Sequence, residues 1–327
     1  MTDNETINQH YVPQTYLRRF ANTANQIWVF DKAKSNAFQT SVRNVAAERR
    51  FYDSEEVKEI TGDNQFIENH LINSEGHYQT VSNTLINVLN AGKFEKLKLR
   101  DRLFLSTYMI LQMLRTKETR ILHQHIEEAI DTVQGKAVRD AGLEPPLHTE
   151  FLDGRNPKSL ARNLQLHSLL NNGQIQGMAS ILHRHIWVIL EAFGDEEFIT
   201  SDHPFVKRAH ITGTWRSMSG IASEGIEILF PLSPKYIITL VDRNHFAKME
   251  SFDGKRMLLG YLENMLYYNQ FQIKQSNRFI FSQNGNFDFV KTVIQEEPIH
   301  GNTDRKRVGS MYHNEFDQPI DDHKSSF

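Results

Sequence analysis

The sequence contains no cysteine. That excludes disulfides, a thiol nucleophile and every cysteine-ligated zinc or iron–sulfur centre, and it fits a reducing, cytoplasmic setting. Also missing are a Gly-rich phosphate loop, a G-x-S-x-G elbow, an HExxH pair and a dinucleotide fingerprint. Common nucleotide hydrolases, α/β-hydrolases and zinc proteases are thereby set aside. Neither sign of charge dominates: 37 Lys and Arg stand against 40 Asp and Glu, a net of −3. Such a balance gives no global attraction to nucleic acid or acidic membranes, while leaving room for a local basic groove. Long apolar runs are absent too. The longest, Leu103 to Leu114, is broken by Ser106, Thr107 and Gln112 and is too short to span a bilayer. The start, Met1-Thr2-Asp3-Asn4-Glu5, is acidic and polar, unlike a signal peptide.

What is present is core material. Hydrophobic residues make up 39% of 327 and include 21 Phe, enough for one large domain or two small ones. In chain order, Pro13 is placed to open a helix carrying Tyr16, Leu17 and Phe20. Ile27 to Phe30 reads as a strand, Lys32 to Thr40 as a loop, and Val45 to Glu48 as helical. Apolar positions from Ile67 to Val88 predict a long helix stopped at Ala91-Gly92. A second runs from Leu99 towards Gly142, and a third region from about Ser159 to Phe193. Strands are expected at Glu197 to Thr200, Phe205-Val206, Ile226 to Phe230, Tyr236 to Val241 and Arg278 to Ser282, with a helix from Arg256 to Gln275.

The order of strands, long helices, then strands indicates an α+β fold. A mixed or antiparallel sheet from N- and C-terminal strands would pack on a central helical block, residues 64–193. One domain is expected over 1–295. The polar stretch 296–327 reads as a tail without fixed structure.

Several polar residues stand in apolar company. His10 precedes Tyr11-Val12-Pro13 and titrates near neutrality, although a core histidine is the commoner outcome of such a pattern. Glu48 follows two alanines. Glu68 and Glu75 lie two turns apart on one helix face. Gln112 and Arg115 interrupt the most apolar helix, where polar groups need partners. The Arg115 fork suits a carboxylate or phosphate, and an ion pair to Glu68 or Glu75 fits equally. Asp202, in Ser201-Asp202-His203-Pro204 at a strand end, could bind a metal or orient a histidine; a backbone-bonded turn is its ordinary role. Asn269 sits on an aromatic helix as a candidate buried amide. His123-x-His125 and His183-x-His185 have the wrong spacing for a helical metal pair.

His10-Tyr11-Val12-Pro13, Tyr16 to Phe20, Ile27 to Lys32, Ala47-Glu48, Phe51-Tyr52 and Glu68 to Glu75 form one series. Gln112-x-x-Arg115-Thr116, Thr200 to Pro204, Pro231 to Pro234, Asn269 and Arg278 to Ser282 continue it. Together they resemble the domain-of-unknown-function family DUF4238, from about residue 9 to 283. The resemblance implies a widespread microbial domain. It brings no catalytic residues with it, only a reason to treat these stretches as one ensemble.

The ensemble suggests a hydrolase acting on phosphodiesters, nuclease-like or nucleotide-directed, with nucleic acid or nucleotide as partner. His10, Glu48, Gln112, Arg115 and Asp202 would then be catalytic. Arg18, Arg115 and Asn269 would bind substrate, and Glu75 and Asp202 would hold Mg²⁺ or Mn²⁺. The alternative is a non-enzymatic ligand-binding or protein-interaction module in which these residues form a structural buried network.

Overall fold

The two ends of the chain meet in one sheet, as the strand–helix–strand order requires. The computed structural model describes residues 7–63, 65–140, 157–211 and 219–307. Strands β1 (Asn8–His10), β2 (Gln26–Asp31), β3 (Asn36–Ser41) and β4 (Ala47–Arg49) surround a short helix, α1 (Gln14–Leu17). Four helices follow: α2 (Glu55–Thr61), α3 (Phe66–Asn90), α4 (Leu99–Arg115) and α5 (Lys117–Asp140). Two more, α6 (Pro157–Leu170) and α7 (Asn172–Arg184), complete the helical block. Then come β5 (Ile186–Glu191), β6 (Thr200–Ser201), β7 (Val206–Ala209), β8 (Ile226–Ser233), β9 (Tyr236–Val241) and β10 (Lys255–Leu258). Helix α8 (Leu262–Gln275), β11 (Phe279–Ser282) and α9 (Asp288–Glu296) close the described chain with a 3-10 turn, Pro298–Gly301.

The fold is α+β. An antiparallel four-stranded sheet, β3-β2-β11-β6, joins N- and C-terminal strands, with Phe30 opposite Ile280. A mixed five-stranded sheet runs β10-β5-β9-β8-β7; only β10 and β5 are parallel. β1 and β4 form a small ribbon. The largest core cluster links α1, the inner faces of α3, α4 and α7, and one face of the five-stranded sheet.

Several expectations need correction. The third helical region ends at Arg184, because Ile186-Trp187-Val188-Ile189-Leu190 forms an interior strand buried on both faces. The expected loop 32–40 contains β3, an edge strand whose exposed residues follow no apolar alternation. Glu48 belongs to a strand rather than a helix, since Gln9 and Glu48 pair across the ribbon. Residues 255–258 form β10, so the following helix starts at Leu262. The second long helix breaks at Thr116, whose ψ is 157°. Gln165 Nε2 donates there to the carbonyls of Leu114 (2.7 Å) and Thr116 (2.8 Å), supplying partners to the end of α4. Part of the stretch expected to be a tail carries structure. Residues 298–301 form a 3-10 turn, and Arg305 and Arg307 are held by ion pairs. Residues 308–327 lie outside the described residues.

Candidate functional site

Pro13 turns the chain from β1 into α1, burying Tyr11, Val12, Tyr16, Leu17 and Phe20. The carbonyls beside that turn find their partners on α4. Arg115, only 2% exposed, donates from Nη2 to the His10 carbonyl (2.6 Å), from Nε to Tyr52 Oη (3.1 Å) and from Nη1 to Glu75 Oε1 (2.7 Å). Gln112, one turn earlier, donates to the Tyr11 carbonyl (3.1 Å). α4 side chains thus complete backbone bonding that no strand provides. Burial works against the Arg115 charge, yet Tyr52 and Glu75 hold its pKa above the ordinary value. Burial pushes the Tyr52 hydroxyl up to about 12.

Two further groups adjoin Arg115. Burial pushes the Glu68 carboxyl up to about 7, against the pull of Arg115 and with the push of Glu75. Burial and the Arg115 charge push the His10 imidazole down. Glu68 Oε2 and His10 Nε2 are buried and hydrogen-bond to no protein atom.

A second network centres on Asp202, fully buried at the end of β6. Its Oδ1 accepts from the Asn277 amide (2.8 Å). Its Oδ2 accepts from those of Arg278 (2.7 Å) and Phe279 (2.9 Å). Asp202 therefore anchors the turn that feeds β11. Burial pushes its carboxyl up, while the three amides and the Lys32 ammonium pull it back. Next to it, His203 Nδ1 lies 2.8 Å from Thr116 Oγ1. Burial pushes that imidazole down to about 4. Thr116 follows Arg115 directly, so the two networks are joined through adjacent residues.

His10, Glu75, Gln112 and Arg115 therefore come together, and Asp202 lies in the adjoining network. Glu48 pairs with Lys117, both partly exposed. Arg18 is exposed and, among the described residues, bonds only to Gln14 Oε1, at 3.4 Å. Asn269 accepts from the Ile199 amide (3.0 Å) and donates to the Glu197 carbonyl (2.9 Å), clamping the chain that enters β6. Neither Arg18 nor Asn269 bonds to either network.

The expected metal ligands do not fit a cation. Glu75 is paired with Arg115, and both Asp202 oxygens face amide donors. Among the described residues, no three His, Asp or Glu side chains are grouped to hold a metal ion. Mg²⁺ or Mn²⁺ on Glu75 and Asp202 has no support in this donor set.

Three features escaped the sequence reading. Tyr52 supplies the hydroxyl that meets Arg115 Nε. Glu118, at the start of α5, accepts from Arg307 Nε and Nη2 (both 3.0 Å) and from Arg305 Nη2 (3.3 Å). Nearby, Lys32 donates to the carbonyls of Ile273 (3.0 Å) and Ser276 (2.9 Å); burial and the Arg305 charge push it down to about 7. The third is a cleft of about 430 Å³ between the β4–α2 turn and α6. Buried Gln9 connects that cleft to the Arg115 network, donating to Asp53 Oδ1 (2.8 Å) and accepting from the Tyr52 amide (2.5 Å). The Arg49-Arg50 and Arg305-x-Arg307 runs were the available signals, but charge runs usually mark solvated surface.

These features define an α+β domain with a buried polar network joining its N-terminal ribbon, its central helices and the Asp202 turn. The chain belongs to the family described as "Protein of unknown function (DUF4238)", whose model matches residues 8–286. No curated protein and no solved structure matches it. Among the described residues, no helix is long and apolar enough to cross a membrane.

Proposed function

We propose that the chain is a ligand-binding or protein-interaction module whose buried polar network fixes the fold, rather than a phosphodiester hydrolase. One observation carries this reading: the groups a hydrolase would aim at its substrate are bonded to the protein itself. Arg115 uses all three of its nitrogens on Glu75, Tyr52 and the His10 carbonyl. Asp202 is held by three amides. A phosphate approaching Arg115 would also meet the Glu75 carboxylate, whose negative charge opposes it. The test is incubation of the purified protein with DNA, RNA and nucleotides in Mg²⁺ or Mn²⁺. No turnover is expected. Turnover that disappears in Arg115→Lys or Asp202→Asn, both still folded, would overturn the reading.

One observation favours the hydrolase alternative, nuclease-like or nucleotide-directed. Glu68, pushed up to about 7, and the His10 imidazole, pushed down by burial, adjoin the same guanidinium, and a carboxyl poised near neutrality beside an imidazole suits proton transfer. That alternative requires phosphodiester cleavage that falls at least tenfold in both Glu68→Gln and His10→Ala. Cleavage unchanged in either variant removes it.

A further inference from the structure

The cleft beside the network has an unusual lining. Arg49, Arg50 and Asp53 form one wall with Ser54, Glu55 and Glu56; Ser159, Arg162 and Asn163 of α6 form the other. All nine are polar or charged, so the cleft offers no apolar wall for a base, an acyl chain or an aromatic ring.

Formal charges in the lining balance, but the partners do not. Asp53 pairs with Arg50 (3.3 Å). Glu56 accepts from Asn163 Nδ2 (2.6 Å) and lies 2.9 Å from His167 Nε2. By contrast, the Arg49 guanidinium has no bonding partner among the described residues. Arg162 donates only to the Asp53 carbonyl (3.2 Å) and has no carboxylate partner among them. Arg120, whose charge Arg162 opposes, is stacked 3.6 Å over the Phe51 ring and bonded to Gln165 Oε1 and the Phe51 carbonyl, with no carboxylate bonded to it among the described residues. Burial and the neighbouring Arg162 push the Arg120 pKa down to about 10. Glu55, the remaining acid of the lining, lies 3.9 Å from Lys58 Nζ. The lining is therefore neutral in sum, but the forks of Arg49 and Arg162 have no carboxylate on them among the described residues and remain open to an anion. Ser159 adds a hydroxyl from the first turn of α6, a turn without acids.

We propose that this cleft binds a small, polyhydroxylated phosphomonoester of the sugar-phosphate class. Arg49 and Arg162 take the phosphate, whose oxygens match their forks. Glu55, further along the wall that carries Arg49, accepts hydrogen bonds from hydroxyls, and Ser54 Oγ, which donates to Asn163 Oδ1 (3.0 Å), accepts from another. The volume admits a monosaccharide phosphate, and the polar lining disfavours a nucleotide base. The proposal rests on the reading of the chain as a binding module and names its ligand class.

The experiment is calorimetric titration of the full chain with glucose 6-phosphate, ribose 5-phosphate, inorganic phosphate, glucose and AMP. It is repeated on Arg49→Gln and Arg162→Gln. Arg49→Gln touches no internal bond, so its melting temperature is expected to match wild type and to control for folding. Sugar phosphates are expected to bind at least tenfold tighter than inorganic phosphate or glucose, with AMP no tighter than phosphate. Each variant is expected to lose tenfold or more. Absence of sugar-phosphate binding, or binding unchanged in both variants, overturns the assignment of this cleft. Binding by inorganic phosphate with no gain from the sugar overturns the ligand class. The module reading fails differently, by hydrolysis of a bound or added phosphoester, which the same samples report as released phosphate or alcohol.

Discussion

At the scale of single residues, Glu68 makes the sharpest departure from ordinary behaviour. Burial pushes its folded carboxyl up to about 7, well above the usual carboxylate range. The folded state thus holds this proton more tightly than the unfolded chain does. The contribution to stability is full below the unfolded pKa and is lost as pH rises through the folded one. Glu68→Gln removes that titration. It is expected to gain on wild type above neutral pH, by about 2 kcal/mol once solvent screening is allowed for. Urea unfolding at intervals from about pH 5 to 8 checks this, and parallel wild-type and variant profiles would contradict it. Part of the residue-level picture was legible. Gln112 and Arg115 interrupt an apolar helix, and burial gives partners to Arg115 and to Gln112 Nε2, while Gln112 Oε1 is buried without one. The surroundings of Asp202 were not legible, because its three amides lie 75 to 77 residues further along the chain. A carboxylate at a strand end reads the same whether it meets amides, a metal or a substrate.

At the scale of elements, periodicity identified what packs on one face and missed what packs on two or none. The apolar, β-branched run Tyr236–Val241 predicts a strand with the bounds the structure shows. The strand at 186–191 merged with the preceding helix because its residues are apolar in succession, which erases the period-two signal. The edge strand 36–41 was missed for the opposite reason, having almost no buried surface to select apolar residues. One joint between elements depends on a single glycine. Gly254 has φ +79°, its amide donates to the Trp187 carbonyl (2.6 Å), and its carbonyl accepts from Leu97 (2.8 Å). A Cβ there would lie 2.4 Å from Arg102 Nη2 and 2.9 Å from the Lys96 side chain. Gly254→Ala is therefore expected to destabilise the fold by about 2 to 4 kcal/mol, through left-handed strain and displacement of the Arg102–Asp253 pair. Denaturant unfolding reports this, and a change below about 0.5 kcal/mol would show that the joint yields freely.

At the scale of the whole molecule, the buried charges connect parts of the chain that are far apart in sequence. Glu118 binds the segment after α9 to the start of α5 through Arg305 and Arg307. Despite burial, the two arginines hold its carboxyl below the usual range. Arg307→Ala leaves a buried carboxylate with a weaker set of partners and is expected to lower stability by about 2 kcal/mol. Adding Glu118→Gln should recover part of that loss, as read by thermal melts; equal melting temperatures in all three proteins would contradict the assignment. Arg115 fastens the N-terminal ribbon to the helical block by pairing with Glu75 as well as with the His10 carbonyl. A double-mutant cycle of Arg115→Met and Glu75→Gln, followed by equilibrium unfolding, tests it most directly. Expected are a loss of about 3 kcal/mol for Arg115→Met and a coupling energy above about 1 kcal/mol between the two sites. Additive effects, each within about 0.5 kcal/mol of wild type, would contradict it.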